Sequence, residues 1–158
     1  MEYEIELQQL EPVPVMYQSR KVDREDLGAT LAEVLPLVFG YVMEHGLTPA
    51  GHPFVRQVGM GPALVSIDAG IPLVEAAPDA PPAELEISVG ELRGGPAAVT
   101  THAGDYQALG DAYAALERWI EANDHKPAGA PWEVYLTDPG EVPDPTDWRT
   151  LVCWPVAP

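Results

Sequence analysis

The chain has 158 residues, with 8 Lys and Arg against 25 Asp and Glu, for a formal net charge of −17. That length is one domain's worth and builds a core without covalent staples. The charge repels phosphates, which excludes direct nucleic-acid binding and disfavours anionic membrane surfaces, while it favours solubility and draws cationic ligands.

The opening stretch, EIELQQLEPVPVMY, alternates around Ile5, Leu7, Val13 and Val15 and reads as a strand with a proline break. In the next stretch, DREDLGATLAEVLPLVFGYVMEHG, the residues Leu27, Leu31, Val34, Leu35, Val38, Tyr41 and Val42 recur at helical spacing. Gly46 is placed to stop that helix, and Pro36 inside it predicts a kink or a division. PAGHPFVRQVG is a turn entering a strand, and PALVSIDAGIPLV is a further strand. The Pro/Ala-rich EAAPDAPPAE is a connector, centred on residues 76–83.

The pattern then starts again. ELEISVGELRGGPAAVTTH alternates around Leu85, Ile87 and Val89. GDYQALGDAYAALERWIEAND is an amphipathic helix with Asp105 at its N-cap and a stripe of Leu109, Ala112, Tyr113, Leu116, Trp119 and Ile120. PAGAPWEVYL repeats the turn and strand, DPGEVPDPTD is a loop, and WRTLVCWPV closes as a strand.

The helix stripes coincide at a separation of 78 positions: Leu31 with Leu109, Leu35 with Tyr113, Val38 with Leu116, Tyr41 with Trp119, Val42 with Ile120. Opening strands match at 82 positions and closing strands at 83, so the register changes only in loops. The expectation is a single α+β domain over 1–158, built as a duplicated strand–helix–strand–strand unit. Repeat 1 covers about 1–75 and repeat 2 about 84–158. It has pseudo-two-fold symmetry, an antiparallel sheet, two main helices and a central cleft, where a ligand site is natural.

One residue breaks the symmetry. In PWEVYL, Glu133 and Tyr135 face one way and Trp132 and Val134 the other. The first copy has Val55 where Glu133 stands, so the fold does not require an acid there. An acid in an apolar, aromatic strand has to be solvated, paired or given a task.

The two-copy layout, the GPAAVTTHAGDYQAL entry to the second helix, PAGAPWEVYL and the final WRTLVCWPV resemble the GyrI-like domains, the effector-binding domains of AraC- and MerR-type multidrug regulators. The resemblance covers nearly the whole chain. It implies a pocket at the pseudo-two-fold, lined by aromatic residues, that takes small hydrophobic and cationic compounds with Glu133 as the acidic anchor. Organic cations are attracted by aromatic faces, and a desolvated carboxylate adds charge complementarity. Candidate walls are Met16, Tyr17, Phe39, Tyr106, Tyr135 and Trp148. Tyr106 and Trp148 are preferred because their polar tips sit badly in a dry core. Tyr41 and Trp119 sit at matching stripe positions and read as core.

Other functional signals are thin. His45, His52, His102 and His125 are scattered, with no zinc spacing, and no glycine-rich phosphate loop is present, so neither a metal nor a nucleotide cofactor is expected. Cys153 is alone, which excludes an intramolecular disulfide, and lies in an apolar run as a small core residue. The acidic, alternating N-terminus is no signal peptide, and no apolar run approaches the ~20 residues of a membrane span, so a cytoplasmic location is expected. The regulators of this family carry a DNA-binding domain, for which this sequence has no helix-turn-helix segment. Three roles follow: a ligand-binding module for drug sensing or sequestration; a hydrolase of cyclopropane-containing electrophiles with Glu133 as general acid/base; and a gyrase-inhibitor-like interaction module. The last is weakened because the acidity is spread along the chain. Oligomeric state is not legible.

Overall fold

A computed structural model describes residues 3–60, 64–138 and 141–158. Pro62 and Ala63 of the expected fourth segment, and Pro139 and Gly140 of the late loop, lie outside the described residues. The chain gathers into two compact units, one of residues 12–92 and one of residues 1–11 with 93–158.

The first unit holds β2 (Val13–Asp23), α1 (Leu27–Glu44), β3 (Phe54–Met60), β4 (Leu64–Pro72) and β5 (Ser88–Leu92). The second holds β1 (Glu6–Leu10), β6 (Gly95–Ala103), α2 (Leu109–Ala122), β7 (Trp132–Tyr135) and β8 (Arg149–Pro155). Strand order is β3-β4-β2-β5 in the first and β7-β8-β6-β1 in the second, antiparallel at each described pairing. The two lists correspond strand for strand, so the α+β architecture with two copies of one arrangement is as the sequence leads one to expect.

The opening segment of each copy differs from the expectation. The alternation predicts one strand with a proline break in the first and one alternating stretch in the second, and each is two strands. Pro12 interrupts the first opening segment, and Gly95, at φ 107°, begins the second strand of the other. The broken pieces then part company: β1 pairs with β6 of the other copy, and β5 pairs with β2. A side chain fastens each exchanged segment from the same place. Gln18 Nε2 donates to the Leu85 carbonyl at 2.8 Å, and Thr100 Oγ1 donates to the Glu4 carbonyl at 2.8 Å.

The repeated PAG has a structural reason. Pro49 bridges Leu73 and Pro127 bridges Val156, and the alanines that follow donate to Pro72 O at 2.8 Å and Pro155 O at 2.9 Å. Each PAG thus pins the entry of β3 or β7 to the end of its neighbouring strand.

The helices pack as their stripes dictate. α1 lies on β4 and β2 through fully buried Val34, Val38 and Val42; α2 lies on β6 and β8 through Leu109, Ala112, Leu116 and Ile120. Both end in the same way: Leu47 N bonds Val42 O at 3.0 Å past Gly46 at φ 68°, and His125 N bonds Ile120 O at 2.9 Å past Asp124 at φ 60°. Of the kink or division expected at Pro36, the division does not occur: α1 runs unbroken through the proline, which lies on the exposed side. α1 is, by length and composition, apolar enough to cross a membrane, while its seam of Val34, Val38 and Val42 is packed against the sheet.

Candidate functional site

Strand alternation puts Glu133 and Tyr135 of β7 on the side covered by α2. Glu133 is 4% exposed, so the reading in which its carboxylate rests in water is excluded. Tyr113, one turn along α2 from Leu109, donates its phenol to Glu133 Oε1 at 2.7 Å. Tyr135 donates to Oε2 at 2.9 Å. Each carboxylate oxygen therefore accepts from a neutral phenol, in bonds of the charge-assisted class.

Both phenols are pushed well above the ordinary tyrosine range, first by burial and then by the adjacent Glu133 carboxylate. Tyr106 is raised by burial, then by Asp138 and Glu133. The three hydroxyls accordingly stay protonated and remain donors through any physiological pH.

Aromatic rings continue outward from this pair. Tyr106, in the 3-10 turn Tyr106–Ala108 capped by Asp105, packs against Tyr135 with centroids 5.2 Å apart and against Trp148 at 4.7 Å. The Trp148 indole N–H donates to the Val142 carbonyl at 2.6 Å, which satisfies its polar tip and ties the preceding loop down. On the far side Trp154 meets Tyr113 edge-on at 6.1 Å.

Of the residues singled out from sequence, Glu133, Tyr135, Tyr106 and Trp148 come together in the second unit. Met16, Tyr17 and Phe39 belong to the first unit. Met16 is core at 1% exposure, and Phe39 is 46% exposed on the outer side of α1. The Arg56 guanidinium stands 5.3 Å over the Tyr17 ring, so that aromatic face already holds a cation. Sequence reasoning missed Tyr113 and Trp154. The available signal was the pairing of each with an aliphatic residue, Leu35 and Ile71, at otherwise matching positions.

His102 is fully buried, with Nδ1 2.9 Å from the Tyr3 hydroxyl and Nε2 2.9 Å from the Asp105 carbonyl. Because a carbonyl only accepts, Nε2 carries the proton and Tyr3 donates to Nδ1. Among the described residues no group of three or more His, Cys, Asp or Glu is arranged to hold a metal ion. A surface cavity of about 300 Å³ beside β1 and β6 is lined by Glu4, Glu6, Gln8, Val99, Thr101 and Leu151; none of the clustered rings borders it.

A family model described as a GyrI-like small molecule binding domain matches residues 3–157. Among solved structures, the EcmrR C-terminal domain is similar over 99% of both chains, with 21% identity and a TM-score of 0.85. EcmrR in its complex with DNA is similar at 20% identity and a TM-score of 0.82, where 98% of the present chain spans 57% of the EcmrR chain. SAV2435 bound to tetraphenylphosphonium is similar at 13% identity and a TM-score of 0.63, over 99% of this chain and 94% of that one. No curated protein sequence matches. At these identities the solved structures speak for the fold.

Proposed function

The chain belongs to the GyrI-like small molecule binding domain family, and from that premise we propose that it binds small hydrophobic, aromatic cations at the cluster around Glu133, in drug sensing or sequestration. The observation that carries this reading is a carboxylate 4% exposed, its two oxygens accepting from neutral phenols, beside tilted and edge-on aromatic rings. Phenol donors disperse its charge without cancelling it, and the ring faces of Tyr106, Tyr135 and Trp148 are the natural contact for an organic cation. The tetraphenylphosphonium held by SAV2435 has the same chemistry of a lipophilic cation.

The hydrolase reading ranks second on geometry. A general base must reach the attacking water, and the Glu133 carboxylate is 4% exposed with a phenol on each oxygen. Ring-opened product formed from an electrophilic cyclopropane by native protein, and not by Glu133→Gln, would reverse that order.

Titration calorimetry with phenyltrimethylammonium and its neutral isostere tert-butylbenzene tests binding. The cation is expected to bind more tightly by about 1–2 kcal/mol, the size of cation–π and partly screened charge terms. Glu133→Gln, which keeps the volume and removes the charge, is expected to erase the difference, and the preference weakens as acid protonates the carboxylate. An equal preference in native and Gln protein would assign the selectivity to the overall −17 charge instead.

A further inference from the structure

Thr150 is fully buried, and among the described residues its Oγ1 is the buried side-chain oxygen left without a hydrogen-bond partner. It is the second residue of β8, directly opposite Tyr135 of β7 and His102 of β6. Side chains so paired share a face, with Cβ atoms about 4.5–5.5 Å apart. Neither neighbour serves it: the Tyr135 hydroxyl is given to Glu133, and both His102 nitrogens are engaged by Tyr3 and Asp105. The matching residue of the first copy is Ile67, equally buried. Packing at this position is therefore met by an aliphatic β-branched side chain, and the hydroxyl is a departure that packing does not require.

An unpaired buried hydroxyl is costly, and a bound polar group that pairs with it recovers the loss. We infer that Thr150 is a hydrogen-bonding contact for the ligand, and that the preferred ligands are aromatic cations bearing a hydroxyl or similar polar group on the ring. This rests on the binding reading above. Tyr106 packs against Tyr135, the cross-strand neighbour of Thr150, which sets the hydroxyl beside the ring cluster proposed to hold the ligand. A threonine hydroxyl both donates and accepts, so it serves a phenol in either sense.

The test compares phenyltrimethylammonium with its 2-, 3- and 4-hydroxy derivatives by calorimetry on the native chain, Thr150→Val and Thr150→Ser. Native protein is expected to bind one hydroxy isomer about tenfold more tightly than the parent, the upper range for one net hydrogen bond. The Val variant should bind all four alike, and the Ser variant should keep the preference. In the absence of ligand, Thr150→Val should melt at a higher temperature, because it removes an unpaired buried polar group. Equal affinity of the native protein for all four cations would overturn the assignment and leave the binding reading standing. So would an isomer preference that persists in the Val variant, or a lower melting temperature for that variant. Failure of all four to bind native protein would remove both.

Discussion

Val55 and Glu133 occupy the same place in the two copies, as do Leu35 and Tyr113, Gln57 and Tyr135, Ile67 and Thr150, and Ile71 and Trp154. On the helix-covered side, the first copy is largely aliphatic at these positions, and the second is polar and aromatic at all of them. The first copy has its own buried acid in β4. Asp68, 7% exposed, takes Nε and Nη2 of Arg56 at 3.1 and 3.0 Å and the Ser19 hydroxyl at 2.6 Å, while Arg56 also donates to the Glu91 carbonyl. The same fold thus satisfies one carboxylate with a resident guanidinium and another with neutral phenols. A carboxylate already matched by a resident guanidinium has little charge to offer a ligand; one whose two oxygens accept from neutral phenols keeps its charge. The first copy also shows that the architecture stands without the second copy's polar set, which is the strongest reason to read that set as functional.

The largest expected effect comes from breaking the first copy's arrangement. Arg56→Met leaves Asp68 buried without its cation and should lower unfolding free energy by about 3 kcal/mol in urea denaturation. A loss under about 1 kcal/mol would mean the two acids are held more alike than their partners suggest.

The second copy is the gentler case. Tyr113→Phe and Tyr135→Phe each withdraw one donor from a buried carboxylate and should cost about 2 kcal/mol. The double variant is expected to depart from additivity, because both phenols share one acceptor group. Strict additivity would say that each oxygen is solvated independently.

A third pair sharpens the contrast on the opposite face of the sheet. Gly70, whose Cβ would lie 1.9 Å from the Met16 carbonyl, corresponds to Cys153, which is buried. Burial pushes the Cys153 thiol up to about 12. An unfolded thiol ionises near about 8.5, so above that pH the folded state holds a proton the unfolded state has lost. The stability linked to this group is therefore complete below about pH 8.5 and is lost as pH rises toward 12. Between pH 8 and 9.5 the loss should be about 1 kcal/mol, and Cys153→Ala should flatten that stretch of the profile. An unchanged slope in the variant would place the alkaline sensitivity on the tyrosines.

Much of this was legible because duplication writes the same physics twice. Matched helix stripes and PAG turns carry register information that a single copy lacks, and the one acid among them could be picked out. What stayed hidden has definite causes. Strand periodicity reports which face is buried and not which of two equivalent edges a strand joins, so the exchange of β1 and β5 left no local trace. Tyr113 fell on an apolar stripe, where a tyrosine reads as core until its hydroxyl is seen to have a partner. Thr150 is a good strand former, and only its buried, unpaired oxygen sets it apart.

The exchanged opening strands carry a consequence for synthesis and ancestry. As the chain emerges, β2 pairs with β4 on one side, but its other edge has no partner until β5 appears some 70 residues after β2, and β1 waits still longer for β6. Long-range pairing of this kind slows folding and leaves strand edges open to wrong partners in the meantime. A gene encoding half of this chain would make a product that lacks its fourth strand, and only the leading strand of a sister molecule could supply it. Tandem fusion turns that encounter between two molecules into an intramolecular one, at the high effective concentration set by the short connector. It also frees the two copies to diverge, so that one could keep aliphatic residues where the other acquired an acid and its phenols.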